Sequence, residues 1–344
     1  MAIAGAVTFA WTAITIMGAR RERDAGGVSG GVEAPADARL YTEVLSVTDA
    51  TSDGSAWFVL DRRAARVHRI DPDREEVHTF GHRGRGPGEF LDPQALTLHG
   101  DTLVIAERGG VLHLFDLDGR HLADRTAPRG GCPAPGTAQV ASTPAGIVLL
   151  AVCDVGAMGL EAKVILQPFE GPVRVLAVSA RNITQQGTLD PHFLPVLASS
   201  GHEIVFGLAG DRCLTRLGLD ADTVGTLCHD WIERLPLPDA ELRNLERLRQ
   251  RAREAGGEIE IPARMPPFDR IFADGTGEIH YRGIVPDGSD ARHLLLRGAD
   301  SSQVALDLPA APYVFVQDGF ALLGWDDMEG TRIALRPLSE REDR

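Results

Sequence analysis

The chain has 344 residues, 43% of them hydrophobic, and 49 acidic against 35 basic side chains give a formal charge of -14. That is ample apolar material for a core and far from a disordered composition. The acidic balance repels polyphosphate backbones and argues against a nucleic-acid partner. Every basic residue except Lys163 is arginine, amid abundant Ala and Gly, which reads as the codon bias of a GC-rich bacterial genome rather than as a functional signal.

Residues 1–19, "MAIAGAVTFAWTAITIMGA", carry no charge, and "RRER" follows. The length suits a signal-peptide core or a membrane anchor. No Lys or Arg precedes the apolar run, and the arginines after it favour a cytoplasmic C-terminal side. A truncated start that lost its basic residues would reconcile this, and so would a cytoplasmic-facing anchor. The Gly-rich stretch 20–38 reads as a flexible linker. The membrane is therefore expected to be met only through the N-terminal segment.

From residue 39 to 340 one pattern recurs: a short apolar strand, a polar turn with glycine, a second apolar strand, a break and a third strand. The glycines are Gly54, Gly100, Gly146, Gly201, Gly277 and Gly319, spaced by 46, 46, 55, 76 and 42 residues. Six units at this period predict an all-β, six-bladed β-propeller. The strands "AWFVLD", "TLVIAE" and "EIVFGL" are nearly continuous apolar runs, as expected where both faces pack against neighbours. A pair of β-sandwiches would instead need a boundary near mid-chain, and the repeat runs through without one. The last unit has room for three strands, so part of "RLYTEVLSV" (Arg39 to Val47) is expected to supply the fourth and close the ring.

The stretch "GHRGRGPGEF", Gly81 to Phe90, falls between the outer strand of the first unit and the inner strand of the second. It has neither GK[ST] nor GxGxxG spacing, and no helix follows. It therefore predicts a sharp turn from rim to channel rather than a phosphate loop. The 76-residue spacing contains "PLPDAELRNLERLRQRAREAGG", whose Leu242, Leu245, Leu248 and Ala252 share one helical face. An inserted amphipathic helix at about 238–256, between blades four and five, follows. It covers apolar surface or acts as a lid over one face of the ring.

Of the four cysteines, Cys213 and Cys228 stand symmetrically about Leu219–Asp222 and would face each other across a hairpin. Cys132 and Cys153 flank a turn less symmetrically. No zinc-knuckle spacing appears. Paired cysteines imply an oxidising compartment and hence an extracytoplasmic, periplasmic or envelope-anchored location.

"GHRGRGPGEF" followed by "DPQALTL", together with "PPFDRIFADGTGEIHYR" (Pro266 to Arg282), resembles the blade-joining motifs of bacterial six-bladed β-propellers of the NHL- and TolB-like kind. The resemblance spans about Arg39 to Leu338 and implies the fold. It does not imply one function, since such rings host binding modules, lactonases and lyases alike.

A metal-dependent hydrolase or lyase with its site in the central channel is one reading. The eleven histidines show no HxH spacing, Asn is nearly absent, and no GxSxG occurs within the repeat region. No catalytic residue, metal or cofactor is therefore expected. The preferred reading is a non-catalytic module binding a protein, peptide or small molecule at the channel mouth. Its candidate ligand-binding residues are Arg83, Arg85, Glu89 and Phe90, His192 (in "LDPHFLP", with Asp190 and Phe193), and Phe268, Asp269 and Arg270, with Arg264 beside them. Alternatively these groups form salt bridges that knit blades together, Arg85 with Glu89 above all.

Overall fold

The computed structural model describes residues 34–71, 76–132, 135–154, 160–181, 188–189, 195–228, 234, 236–237, 239–254, 258–259, 261–273, 279–283, 293–297, 302–305, 308, 311, 313–317, 319–327 and 329–338. The apolar segment 1–19, most of the linker, and His192 with Asp190 and Phe193 lie outside these residues. No helix among the described residues is long and apolar enough to cross a membrane.

The described strands form six four-stranded antiparallel sheets and one two-stranded parallel pair. Strand β1 (Arg39–Tyr41) opens the chain. Sheet 1 is β2 (Asp49–Ser52), β3 (Trp57–Asp61), β4 (Arg66–Asp71) and β5 (Glu76–Phe80). Sheet 2 is β6 (Pro93–His99), β7 (Thr102–Glu107), β8 (Val111–Asp116) and β9 (His121–Thr126). Sheet 3 is β10 (Pro135–Thr143), β11 (Gly146–Asp154), β12 (Leu160–Pro168) and β13 (Arg174–Arg181). After β14 (Thr188–Leu189), sheet 4 is β15 (Pro195–Ser200), β16 (Glu203–Leu208), β17 (Cys213–Gly218) and β18 (Thr223–Cys228). Helix α1 (Asp239–Glu254) and β19 (Glu258–Ile259) precede sheet 5, which is β20 (Phe268–Ala273), β21 (Ile279–Gly283), β22 (His293–Arg297) and β23 (Ser302–Ala305). These five sheets each use consecutive strands. The sixth joins β24 (Tyr313–Gln317), β25 (Phe320–Asp326) and β26 (Thr331–Pro337) to β1 from the other end of the chain.

The fold is a β-propeller, and the apolar runs show why. Successive residues of a strand point to opposite faces of its sheet. In β3, Trp57 and Val59 join a cluster with Tyr313, Phe315 and Leu322 of the sixth sheet, while Phe58 and Leu60 join Leu96, Leu103 and Ile105 of sheet 2. In β7, Val104 and Ala106 turn the other way, toward Ile147, Leu149 and Ala151 of sheet 3. Val148, Leu150 and Val152 of β11 meet Ile204, Phe206 and Leu208 of sheet 4, and Val205 meets Ile271 and Tyr281 of sheet 5. Phe272 then packs on the sixth sheet's Val314 and Leu323. The strand next to the inner one in each sheet is buried on both faces, so it cannot alternate apolar with polar.

The glycine turns fall where the repeat put them. Gly54, Gly100, Gly201 and Gly319 each stand between the first and second strands of a sheet and Gly146 opens the second, with φ of +86, +53, +63, +77 and +146°, a region L side chains rarely adopt. Gly277 lies outside the described residues. These turns define one end of the ring, and the connections from one sheet to the next define the other. Closure follows the expectation from Arg39–Val47: Arg39, Leu40 and Tyr41 pair antiparallel with Ile333, Arg332 and Thr331. Thr331 Oγ1 donates to the Val44 carbonyl at 3.0 Å, and Arg336 bonds both oxygens of Asp37 at 2.7 Å.

Helix α1 occupies the connection between sheets 4 and 5. Leu245 and Leu248 are buried in the cluster that joins sheets 3 and 4, so the helix covers apolar surface at the inter-sheet end. The parallel pairing of β14 with β19 ties the connection after sheet 3 to the one after the helix.

All four cysteines are paired, Cys132 with Cys153 and Cys213 with Cys228. Cys213 and Cys228 lie directly opposite in the β17–β18 register. Their bond closes a 15-residue separation, for which the loss of unfolded-chain entropy is worth about 3 kcal/mol. Replacing both by Ser should lower the unfolding free energy in urea by about that amount, with a somewhat larger m-value because the uncross-linked unfolded chain exposes more surface. Removing residues 1–41 should have a different effect: β26 becomes an exposed edge, so melting falls and light scattering shows self-association.

Candidate functional site

The loop from Gly81 to Asp92 is folded tightly on itself. The Phe90 N–H donates to the His82 carbonyl at 2.8 Å, Gly84 N–H to the Phe90 carbonyl at 3.1 Å, and Glu89 N–H to the Gly86 carbonyl at 3.0 Å. Glu89 turns inward, accepting from the Gly86 N–H at 2.6 Å and meeting His82 Nε2 at 2.9 Å. A Cβ at Gly84 would fall on that carboxylate, so a side chain here would displace Glu89 from its place in the loop. The Gly86 N–H, and then His82, hold Glu89 below the usual carboxylate range.

The Arg85–Glu89 pair of the alternative reading is therefore not formed, because His82 and the loop amides occupy the carboxylate. Arg85 is exposed and has no side-chain hydrogen bond or ion pair among the described residues. Arg83 is exposed as well, but its guanidinium braces the loop, donating to the Leu91 carbonyl at 3.0 Å and the Arg63 carbonyl at 3.3 Å. Phe90 is fully buried, with ring centroids 5.2 Å from His113 and 5.7 Å from Phe115. It is a core residue.

Below this loop a polar device repeats. The last residue of the second strand is acidic in both sheets 1 and 2, Asp61 and Glu107. Asp61 accepts from Leu45 N–H at 2.7 Å, Ser46 N–H at 3.3 Å and Ala64 N–H at 2.8 Å. Glu107, 46 residues on, accepts from the N–H groups of Leu91 and Asp92. Each faces a buried histidine on the third strand: His68 Nε2 is 3.8 Å from Asp61, and His113 Nε2 is 3.7 Å from Glu107. The histidines' Nδ1 atoms meet Thr79 at 2.9 Å and Asp124 at 2.7 Å on the fourth strand. Burial pushes Asp61 and Glu107 up, but the facing histidines and the amide donors outweigh it and hold both below the ordinary range. Asp92 lies between Arg62 at 2.8 Å and Arg108 at 3.1 Å, each the residue after one of those acids.

Sheet 5 places its candidates inside the ring. Phe268 is fully buried edge-on to Tyr281, 4.8 Å between centroids. Asp269 pairs with Arg282 at 2.7 Å. Arg270 passes within 5.4 Å of the Phe272 ring centre and 5.1 Å of Phe315, and reaches Asp49 on the inner strand of sheet 1. Asp49 also accepts from the Leu96 N–H of sheet 2 at 3.0 Å. Burial raises the Asp49 carboxyl and lowers the Arg270 guanidinium from their ordinary values, against their mutual attraction. Arg264 is exposed and donates to the Arg234 carbonyl at 2.8 Å.

The sequence reading missed His113, His121 and Asp124, whose ligand-type atoms lie within 4.8 Å of one another. A histidine inside a strand is ordinarily a packing or surface residue, and the pattern H-x₇-H-x₂-D resembles no metal motif. Only the β8–β9 register, with its irregularity, brings the three together.

No protein-family profile matches the chain, and no curated protein is similar to it in sequence. Solved structures are similar in fold. A protein of Bacteroides fragilis whose name places it, by inference, among exported proteins superposes with TM-score 0.55 at 11% identity, over 91% of this chain and 94% of that one. The RRP9 WD40 repeats superpose with TM-score 0.53 at 13% identity, over 90% and 99%. A DUF4221 member from Bacteroides vulgatus gives 0.52 at 11%, over 89% and 98%. These likenesses support the propeller fold and nothing finer.

Asp61→Ala should cost about 1–3 kcal/mol at neutral pH by stranding buried amide donors. Because the folded-state pKa of Asp61 is lowered, its contribution is present above the unfolded value of 3.8 and is lost as pH falls through the folded one. The stability gap between wild type and variant should thus close in acid, as denaturation curves across pH would show.

Proposed function

We propose that the chain is an extracytoplasmic, six-bladed β-propeller that acts as a non-catalytic binding module, and that its inter-sheet end around residues 81–92 holds a protein or peptide carrying carboxylates. The observation that carries this reading is a local reversal of charge. In a chain of net charge -14, Arg63, Arg83 and Arg85 are all exposed at this end. Glu89 is turned into its own loop and Asp92 is shared by two further arginines. Leu45 and Leu91, equivalent positions 46 residues apart, expose 47% and 44% of their surface there. Fixed cations beside exposed apolar groups on a hydrogen-bonded loop suit a partner with acidic and apolar side chains, at little ordering cost.

The paired cysteines support a location outside the cytoplasm. The alternative, a hydrolase or lyase centred in the channel, needs ligands converging from inner strands. There Asp49, Gln139 and Gln317 each accept an N–H from the inner strand of another sheet. Their side chains are engaged in holding the ring, which favours the binding reading.

The test is an array of Asp/Glu-rich peptides containing Leu or Phe, with charge-neutral counterparts. Wild-type protein should bind the acidic set in a salt-sensitive manner. Arg63→Ala/Arg83→Ala/Arg85→Ala should lose about tenfold or more in affinity, since exposed guanidinium contacts are worth upward of 1 kcal/mol when paired with carboxylates. Equal binding to both sets, or an unaffected triple variant, would refute the assignment.

A further inference from the structure

We propose that His113, His121 and Asp124 form a divalent transition-metal site of the zinc class on the outer half of sheet 2. The site is created by a backbone irregularity. In the β8–β9 pairing His113 stands opposite Asp124 and Leu114 opposite Ala123, but Phe115 stands opposite His121. Leu122 is the extra residue of a β-bulge. In a regular strand, residues 121 and 124 would point to opposite faces. The bulge returns His121 to the Asp124 face, the re-aiming that bulges perform at functional sites.

The donor set suits the chemistry. Two imidazoles and a carboxylate are the ligands that first-row divalent ions such as Zn²⁺ select. Asp124 Oδ1 lies 2.7 Å from His113 Nδ1 and 2.7 Å from His121 Nε2. Bonds of about 2.0–2.1 Å in a tetrahedral site put ligand atoms roughly 3.3 Å apart, so each gap opens by only about 0.6 Å to admit the ion. Asp124 is 41% exposed and His121 22%, which gives an ion a path in and leaves a fourth position for water.

A second, independent observation lies on the far side of His113. This imidazole is 94% buried, and its Nε2 has no hydrogen-bond partner among the described residues, although Glu107 Oε1 is 3.7 Å away. A buried, unsatisfied ring nitrogen is costly. Coordination through Nδ1 fixes the tautomer with hydrogen on Nε2, directed at Glu107, which is the carboxylate–histidine–metal arrangement that orients ligands in zinc proteins. Phe90 and Phe115 wall the two rings edge-on, at 5.2 and 5.4 Å between centroids. A Cβ at Gly88 of the 81–92 loop would lie 3.1 Å from the His121 Cβ, so this loop rests closely on the site and an ion here stiffens the floor beneath it.

Tag-free, chelator-treated protein is titrated with Zn²⁺ by calorimetry and with Co²⁺ by visible absorption. The expected result is one equivalent bound per chain, a rise in melting temperature, and Co²⁺ ligand-field bands. His121→Ala and Asp124→Ala, made separately so that a folding defect in one leaves the other informative, should each abolish stoichiometric binding. Glu107→Gln should weaken it about 10–100-fold, as loss of an orienting partner does. His202→Ala, at an exposed histidine in the turn before β16, should bind as wild type. Absence of saturable binding by wild type, or wild-type affinity in folded His121→Ala or Asp124→Ala protein, would overturn the proposal.

Discussion

Everything in this ring depends on the pairing of its two ends. Each sheet buries both faces against its neighbours, so no sheet can serve as a terminus without exposing an apolar face. The last sheet receives its outer strand from Arg39–Tyr41, which places the N-terminal chain between β26 and solvent. Arg270 makes a second tie on the inside, crossing from sheet 5 past Phe315 to Asp49 of sheet 1. A buried ion pair of this kind contributes little net stability and costs much when halved. Its effect is on register: it fixes which inner strands are neighbours across the closure.

The inner strands follow the same logic with neutral groups. Gln317 accepts from Ser52 N–H at 2.9 Å, and Gln139 accepts from Leu197 N–H at 2.7 Å. Inner strands have amide donors facing the channel that no ladder satisfies, and buried donors must be satisfied. Side chains from adjacent sheets supply the acceptors. At the other margin of sheets 1 and 2, Asp61 and Glu107 do the same for the loops that lead into each sheet. The repeat is thus one of donor satisfaction as much as of apolar pattern.

Much of this was legible in the sequence because it is local. A glycine turn, an apolar run and two cysteines symmetric about a tetrapeptide are each decided within about twenty residues. The helix was found for the same reason, with Pro238 and Gly256 bracketing the observed Asp239–Glu254. The site residues were harder to read. Phe90 and Phe268 are aromatic and follow turns, as ligand contacts do, but the inter-sheet clusters claim both. The partner of Arg270 is 221 residues distant, beyond any spacing rule. His113, His121 and Asp124 depend on one extra residue in a strand, and "HLADRT" reads equally well with or without a bulge at Leu122. A sequence pattern specifies which residues can share a face only where the ladder is regular.

The direction of β1 has a consequence for how the molecule is displayed. Tyr41 pairs with Thr331, beside the turn that joins β25 to β26, and Arg39 pairs with Ile333, farther from it. The chain therefore runs along β1 toward the end that carries Leu45, and enters β1 from the opposite end. Leu338, which follows β26, donates its N–H to Gly319 at 2.8 Å at that same opposite end. Both ends of the described chain, at residues 34 and 338, are thus led off the glycine-turn side. A tether or fusion attached at residue 34 or residue 338 therefore leaves the ring on its glycine-turn side and keeps clear of Arg63, Arg83 and Arg85 at the other end.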